Sequence, residues 1–416
     1  MRLMSDIDGL STIRTLQLGM SWFAERPGGL DRYYCELLNH LPAVGVVSRG
    51  LVVGTSRVAE LTHGMVRAVA PPDAKLWTRW AAMRREVAGE VARGGAAGGA
   101  AVGTPGRVPG GAVGEGHLDL IVSHHALYTF PVLEAGGVTG HLPMVVHFHG
   151  PYAAESSVER SRRLATAVKH WMERRTYARA VRCIVLSEAF ATILHESYGV
   201  PRERIAVIPG GVDAGRFDPV ETRRQARERL GWPVDRPIVL TVRRLFRRMG
   251  LENLIEAVAA VRQRVPDVLV MIAGKGWLEG ELRQKIKSMG LSDHVRLLGF
   301  VPDADLPVAY RAADLTVVPT VSLEGFGLTT VESMAAGTPA MVTPVGGLPE
   351  VVGGLSKNLI LADASPAAIT TGLAGYFTGG LKLPKGQECQ AFVRENFDWP
   401  GVAARVRSIY EEALAE

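Results

Sequence analysis

Short apolar runs alternate with segments of helical period along nearly the whole chain, and this alternation narrows the fold more than any single motif does. The runs fall at 13–20, 120–123, 144–149, 183–187 and 205–208 in the first half. In the second half they fall at 238–242, 268–273, 295–298, 315–319, 340–343 and 359–361. Between them, segments such as 251–264 place Leu251, Leu254, Ile255, Val258 and Val261 on one helical face. Apolar runs each followed by a helix predict βαβ units and parallel sheets covered on both sides. Two such series in 416 residues predict an α/β chain of two Rossmann-like, doubly wound domains.

The join falls where Gly and Pro cluster, from Pro209-Gly210-Gly211-Val212-Asp213 to Asp218-Pro219. The expected domains are therefore 1–209 and 210–399. Residues 94–116 are mostly Gly, Ala, Val and Pro. They are too poor in bulky side chains to pack, which predicts a flexible surface insertion.

No run reaches the ~18 apolar residues of a membrane-spanning helix. The first eight residues hold no apolar stretch of a secretory signal. Cys35, Cys183 and Cys389 are too far apart for a disulfide framework or a zinc cluster, which fits a reducing cytoplasm. A net charge of +5 is small for this length and does not suggest a nucleic-acid binder. The densest basic stretch is Arg160, Arg162, Arg163, Lys169, Arg174, Arg175, Arg179 and Arg182, on what reads as one long helix. It is either a solvated face or a patch resting on anionic headgroups. Trp77, Trp80 and Met83 beside Arg79, Arg84 and Arg85 likewise fit a membrane surface or ordinary core packing.

The most informative segment is Glu324-Gly325-Phe326-Gly327-Leu328-Thr329-Thr330-Val331-Glu332, which follows the run at 315–319 and opens a helix. Strand, glycine turn and helix N-terminus together form an anion site, because free N–H groups and the helix dipole point the same way. Carboxylates there would repel a phosphate, so sugar hydroxyls are their natural partners. The plainer reading makes Glu332 a first-turn helix acid and Glu324 a surface acid. Arg243-Arg244-Leu245-Phe246-Arg247-Arg248-Met249-Gly250 follows the run at 238–242, where doubly wound folds place ligand contacts. Its guanidinium forks suit a diphosphate, or solvent.

Pro27-Gly28-Gly29-Leu30 precedes a helical segment at 31–41 and offers glycine amides at the same sheet edge. His147 and His149 end a strand and share a face, and one of them is expected to be a buried, hydrogen-bonded histidine. His124-His125 has no evident partner. Asp303 reads as the N-cap of a helix through Tyr310. Neither Asp303-Ala304-Asp305 nor Asp6-Ile7-Asp8 reads as a metal site. A P-loop and a Gly-x-Ser-x-Gly elbow are both missing from the sequence.

Six segments stand in one order: Gly28-Gly29-Leu30 with Arg32-Tyr33; His147-Phe148-His149-Gly150; IAVIPGGVD from Ile205 to Asp213; Arg244 with Gly250; Leu298-Gly299-Phe300-Val301; and Glu324 to Glu332. Together they resemble the retaining glycosyltransferases of family 4, which implies the GT-B fold, two Rossmann-like domains facing each other across a cleft. The resemblance covers nearly the whole chain outside 94–116. It implies a metal-independent hexosyltransferase that uses a UDP or GDP sugar as co-substrate and needs no resident cofactor.

Carried onto these residues, the resemblance has Glu332 hold the ribose hydroxyls. Glu324 and the amides of Phe326, Gly327 and Leu328 would hold the transferred sugar and the phosphates. Arg244 would bind the diphosphate, and Phe300 with Val301 would frame the base. From the first domain, Gly28 and Gly29 would close over the phosphates and His149 would reach the sugar. The family's lysine before the glycine of the arginine loop is Met249 here, and Arg248 is expected to supply the missing charge. Residues 400–416 resemble a terminal helix that returns to the first domain.

A leaving nucleoside diphosphate needs preorganised cations and amides. An acceptor attacking from the face it vacates needs no carboxylate nucleophile, unlike retaining glycosidases, which use two carboxyls ~5 Å apart. The acceptor is expected to be a glycan, a lipid-linked glycan or a small metabolite. The protein is expected to be cytoplasmic, with peripheral contact at the inner membrane face through its basic first-domain helices as an option. Two other readings stand beside this one. A catalytically silent donor-binding subunit has Met249 as its support. A dinucleotide-dependent oxidoreductase expects Gly-x-Gly-x-x-Gly, where the first turn has Pro27-Gly28-Gly29-Leu30-Asp31-Arg32.

Overall fold

Among the described residues every strand pairing is parallel, as expected when each strand is followed by a helix that must cross back over the sheet. The computed structural model describes residues 11–97, 117–133, 139, 142–158 and 163–416. The first sheet has seven strands: β1 (Ile13–Leu18), β2 (Val46–Val53), β3 (Val66–Ala70), β4 (Leu120–Ser123), β5 (Met144–Phe148), β6 (Arg182–Val185) and β7 (Ile205–Val207). Their order is β3-β2-β1-β4-β5-β6-β7. The second sheet has five: β8 (Ile238–Val242), β9 (Leu269–Ala273), β10 (Val295–Gly299), β11 (Leu315–Val318) and β12 (Ala340–Val342), in the order β10-β9-β8-β11-β12. Two doubly wound α/β domains are thus present. Strand order reverses between β1 and β4 and again between β8 and β11, and ligands of such sheets bind at these switch points.

β2 and β3 were not expected from the apolar runs. Arg49 and Arg67 interrupt them, and both are ion-paired with Glu90 from helix Leu76–Ala97; Arg49 Nη1 lies 2.8 Å from Glu90 Oε2. Conversely, the run at 359–361 is no strand. Lys357–Leu359 is a 3-10 turn whose Asn358 N–H donates to the Ser356 hydroxyl, leaving a single bridge from Ile360 to Val342.

Helix Trp399–Ala415 lies against the first sheet, where Trp399, Val402, Val406 and Tyr410 pack with Ile13, Tyr33, Val145 and Ile184. The chain arrives there alongside the join, with the Val212 N–H donating to Phe397 O. Gly211 is required at this crossing because a Cβ would sit 2.4 Å from the Trp399 ring.

The basic stretch is not one helix. Arg163–Ala178 is helical, but Arg182 opens β6 and is paired with Glu412 at 3.2 Å and with Glu416. Arg160 and Arg162 lie outside the described residues. Of the insertion expected at 94–116, residues 94–97 end a helix and the remainder lies outside them. Among the described residues, no helix is long and apolar enough to cross a membrane.

Candidate active site

The carboxyl ends of β1, β4, β5, β8 and β11 open on one cleft of about 1400 Å³ lined by both domains. After β11 the chain turns through Glu324–Gly327 into helix Leu328–Ala335. Gly327 sits at φ +80°, and a Cβ on it would lie 2.4 Å from the Leu348 side chain, so no other residue fits this corner. The N–H groups of Leu328 and Thr329 have no acceptor among the described residues, and both residues line the cleft. The Thr329 hydroxyl is buried without a partner. Anion-binding groups are therefore left open where the helix dipole is positive.

Glu324 faces the same hollow, and its carboxylate is held by Arg243 and the Thr320 hydroxyl. Burial alone would raise its pKa, but Arg243 and Arg248 outweigh burial and keep it below the usual carboxylate range. The preceding residue, Leu323, is left-handed at φ +55°, a strained conformation for a branched side chain. Its carbonyl accepts from Arg248 Nη1 at 2.8 Å, and Arg248 Nη2 lies 3.2 Å from Glu155 Oε2. Arg248 thus lines the cleft while bracing the strained turn ahead of Glu324. Met249 is 4% exposed and packs in the core of the second domain, so its side chain offers nothing in place of a lysine.

Arg244 differs from its neighbours. It lies on the cleft with its guanidinium over the Phe246 ring, 5.0 Å from the centroid, and no carboxylate is bonded to it among the described residues. Its side chain is exposed to the cleft, and crowding by the surrounding protein and by the like charge of Arg248 lowers its pKa, so an anion placed there would offset the repulsion between the two guanidinium groups. Arg243, which sequence reasoning grouped with the arginines suited to a diphosphate but gave no role of its own, has a buried Nε without a partner among the described residues.

Glu332 is 3% exposed, one helical turn deeper. Tyr310 donates its hydroxyl to Oε2 at 2.8 Å, and Arg32 Nε from the first domain lies 3.3 Å from Oε1. Phe300 and Val301 line the cleft beyond it, with Phe300 half exposed and Lys275 Nζ 5.9 Å from its ring centroid.

Asp303 does not cap a helix. Helix Leu306–Ala312 begins after Asp305, and Asp303 instead joins Arg32 to Arg216, tying the domains together.

From the first domain, Gly28 precedes helix Gly29–His40 in extended conformation, and a Cβ on Gly29 would lie 3.9 Å from the Leu328 side chain. The glycine turn therefore faces the helix N-terminus of the other domain directly. Asp31, in the first turn of that helix, accepts the Ser21 hydroxyl at 2.7 Å, and burial pushes its pKa up to about 6.

His149 is half buried at the end of β5 and lines the cleft. His147 beside it is fully enclosed, hydrogen-bonded to Tyr33 and Tyr410. His124, for which no partner was expected, lies 3.3 Å from His149 Nε2 and stacks on His147 with centroids 4.4 Å apart. Burial drives the pKa of His149 down to about 3, so the rings are neutral. No cluster of three or more metal-ligating side chains suited to an ion occurs among the described residues.

Residues 99–216 match the family described as Glycosyltransferase Family 4, and residues 222–385 match Glycosyl transferases group 1. Mannosylfructose-phosphate synthase of Agrobacterium fabrum is 39% identical over 181 residues, 41% of this chain and 39% of that protein. D-inositol 3-phosphate glycosyltransferase of Corynebacterium glutamicum is 32% identical over 237 residues, 55% of this chain and 56% of that protein. The matches therefore span about half the length of these relatives or less. In three dimensions the chain is similar to sucrose-phosphate synthase of Thermosynechococcus elongatus, with TM-score 0.75, 20% identity and coverage of 97% and 99%. It is also similar to Anabaena HepE in complex with UDP-glucose, with TM-score 0.74, 20% identity and coverage of 96% and 100%.

Proposed function

We propose that this chain, which belongs to the group 1 and family 4 glycosyltransferases and has their two-domain GT-B fold, moves a hexose from a nucleotide-diphosphate sugar to an acceptor hydroxyl with retention of configuration. The observation that carries this reading is that Arg244, with no carboxylate partner among the described residues, lines the same cleft as the open Leu328 and Thr329 amides, with Gly29 of the other domain against the Leu328 side chain. A diphosphate between these groups would be bound by cations and dipoles fixed beforehand, which favours the charge that grows on a leaving nucleoside diphosphate.

Glu332 is the proposed ribose ligand and Phe300 with Val301 the proposed frame for the base. Glu324 and the amides of Phe326, Gly327 and Leu328 are assigned to the transferred sugar and phosphates, with His149 at the sugar. Glu324 is already committed to Arg243, which suits a carboxylate that orients hydroxyls better than one that attacks carbon. The acceptor hydroxyl would then approach from the face the diphosphate leaves, giving up its proton to the departing phosphate oxygen. Arg248 contributes positive field to this centre and braces the Leu323 turn.

The acceptor enters over the first-domain part of the cleft, lined by Trp80, His125, Tyr128 and Lys169. These side chains suit a glycan or small polyol through stacking and hydrogen bonds. Peripheral membrane contact belongs to the same reading: Trp77, Leu164 and Trp171 are 65%, 79% and 51% exposed on helices Leu76–Ala97 and Arg163–Ala178. Arg175 lies over the Trp171 ring and Lys75 over Trp77, placing cations beside apolar rings as an anionic lipid surface favours.

The test is a thermal-shift and calorimetric screen of UDP, GDP, ADP and their sugars, followed by donor hydrolysis without acceptor. Stabilisation by a nucleoside diphosphate and slow release of its sugar are expected. Protection by NAD alone would overturn the reading.

A further inference from the structure

The orientation of one side-chain amide, that of Gln17, sets the direction of hydrogen bonding through the histidine stack behind the cleft. Gln17 on β1 donates from Nε2 to the Thr15 hydroxyl at 2.9 Å and to the Tyr410 oxygen at 3.5 Å, leaving Oε1 to face His124 Nε2 at 2.8 Å. An amide oxygen only accepts, so His124 Nε2 carries the proton. His124 is neutral, hence its Nδ1 is a bare lone pair, and the contact of 3.3 Å with His149 Nε2 requires the proton to sit on His149.

The second branch follows from the same orientation of the Gln17 amide. Tyr410 accepts from Gln17 and donates to His147 Nε2 at 3.1 Å, so His147 Nδ1 keeps its proton for the Tyr33 oxygen at 3.1 Å. Around the rings stand Tyr33 and Tyr34 from helix Gly29–His40 and His125 after β4. No charged side chain is hydrogen-bonded to the stack among the described residues. The remaining nitrogen of His149, Nδ1, has no partner within the described protein, and His149 borders the cleft.

We propose that Gln17, acting through His124, is a positioning residue that locks His149 in the Nε2–H tautomer, so that the cleft meets an acceptor nitrogen selective for a hydroxyl on the donor sugar. Tyr410 extends the same control to the C-terminal helix, which sets His147 and shares Gln17. The proposal rests on the reading of this cleft as a sugar-transfer site. In the other tautomer His149 would donate instead, and would favour a carbonyl or ether oxygen at the same place. Gln17 and His124 are buried behind His149 and do not line the cleft, so the selection is made by residues that never touch substrate.

Long-range 1H–15N spectra of the full chain at neutral pH read histidine tautomers directly, with assignment from single substitutions. His124 and His149 are expected as Nε2–H and His147 as Nδ1–H. His149 found as Nδ1–H, or as an imidazolium, overturns the proposal without any variant. Gln17→Met keeps the volume and removes the acceptor; it should turn the His124 and His149 signals into tautomer mixtures. It should also lower acceptor-free hydrolysis of UDP-glucose or GDP-mannose, whichever is turned over, by about tenfold, the worth of one hydrogen bond, with UDP or GDP affinity unchanged. Unaltered His149 signals in a folded Gln17→Met chain also overturn it. If the tautomers behave as stated but His149→Ala hydrolyses the donor at the wild-type rate, the tautomer lock stands and the sugar-site reading fails.

Discussion

Arg32 of the first domain and Glu332 of the second meet inside the cleft, with Nε 3.3 Å from Oε1. The same guanidinium is paired with Asp303, and Tyr310 holds the other Glu332 oxygen. A ribose bound at Glu332 would therefore share its carboxylate with a cation from the opposite domain, which couples nucleotide binding to the approach of the two domains. Glu332→Gln should weaken binding of UDP or GDP about tenfold, the range of a hydrogen bond to a charged group. The effect should depend on the sugar. Removing the ribose 2′-hydroxyl from the ligand should cost the wild-type protein affinity and cost the variant much less. Calorimetry of the four combinations measures that coupling, and equal losses in both proteins would remove Glu332 from the ribose site.

Arg244→Ala should weaken nucleoside diphosphate binding by about 2 kcal/mol, a factor of roughly 30. Folding stability should hold or rise slightly, because the cation has no carboxylate partner and is crowded by Arg248. Arg243→Ala should behave differently, since it strips Glu324 of its ion pair. Denaturant melts and calorimetry on both variants separate the two roles. A melting loss in Arg244→Ala equal to that in Arg243→Ala would contradict the distinction.

Asp31 supplies a pH prediction whose sign follows from its burial. Its folded pKa is raised from 3.8 to about 6. A raised carboxyl favours the folded chain below the unfolded pKa, and that contribution is lost as pH rises through the folded value. At pH 7.5 the ionised, desolvated side chain is therefore a burden. Asp31→Asn, which can still accept the Ser21 hydroxyl, should stabilise the protein by roughly 1–3 kcal/mol there and by almost nothing near pH 4. Urea melts at the two pH values test this. Equal stability of variant and wild type at pH 7.5 would count against a buried, strained Asp31.

Local features of the sequence were enough to name many of the residues that line this cleft. The Glu324 to Glu332 spacing, the glycine turn at Gly28 and the arginines after β8 are each properties of one βα junction, and such junctions converge at the carboxyl edge of a parallel sheet. Features that depend on distant chain segments were not legible. His124 gains its partners only because β4 lies between β1 and β5, and nothing near it in sequence signals that order. Asp303 resembled a cap because a cap and an interdomain bridge differ by two residues of helix start. Arg243 and Arg244 are adjacent and chemically alike, yet one is paired with Glu324 and the other is left open. Likewise Glu90, 4% exposed, makes strands of segments carrying Arg49 and Arg67.

Glu324 allows catalysis and stability to be read from one position. Its carboxylate pairs with Arg243, which is itself almost wholly enclosed. Glu324→Ala therefore has two expected effects. Acceptor-free donor hydrolysis should fall about 100-fold, the scale of losing one polar group aimed at the transition state, with UDP or GDP affinity changed less than threefold. The chain should also lose about 3 kcal/mol of stability at neutral pH, because Arg243 is left buried without its counter-charge. The second effect has a defined pH course. The Glu324 pKa is lowered in the fold from 4.5, so the pair stabilises fully above the unfolded pKa and is lost as pH falls through the folded value. The stability gap between wild type and Glu324→Ala should thus narrow on acidification, whereas the gap for Asp31→Asn should open as pH rises. Glu324→Gln retains an oxygen for Arg243 and should recover part of the stability while restoring little of the rate. If Glu324→Ala turns over donor at the wild-type rate, the carboxylate serves only to hold Arg243 and has no place at the sugar.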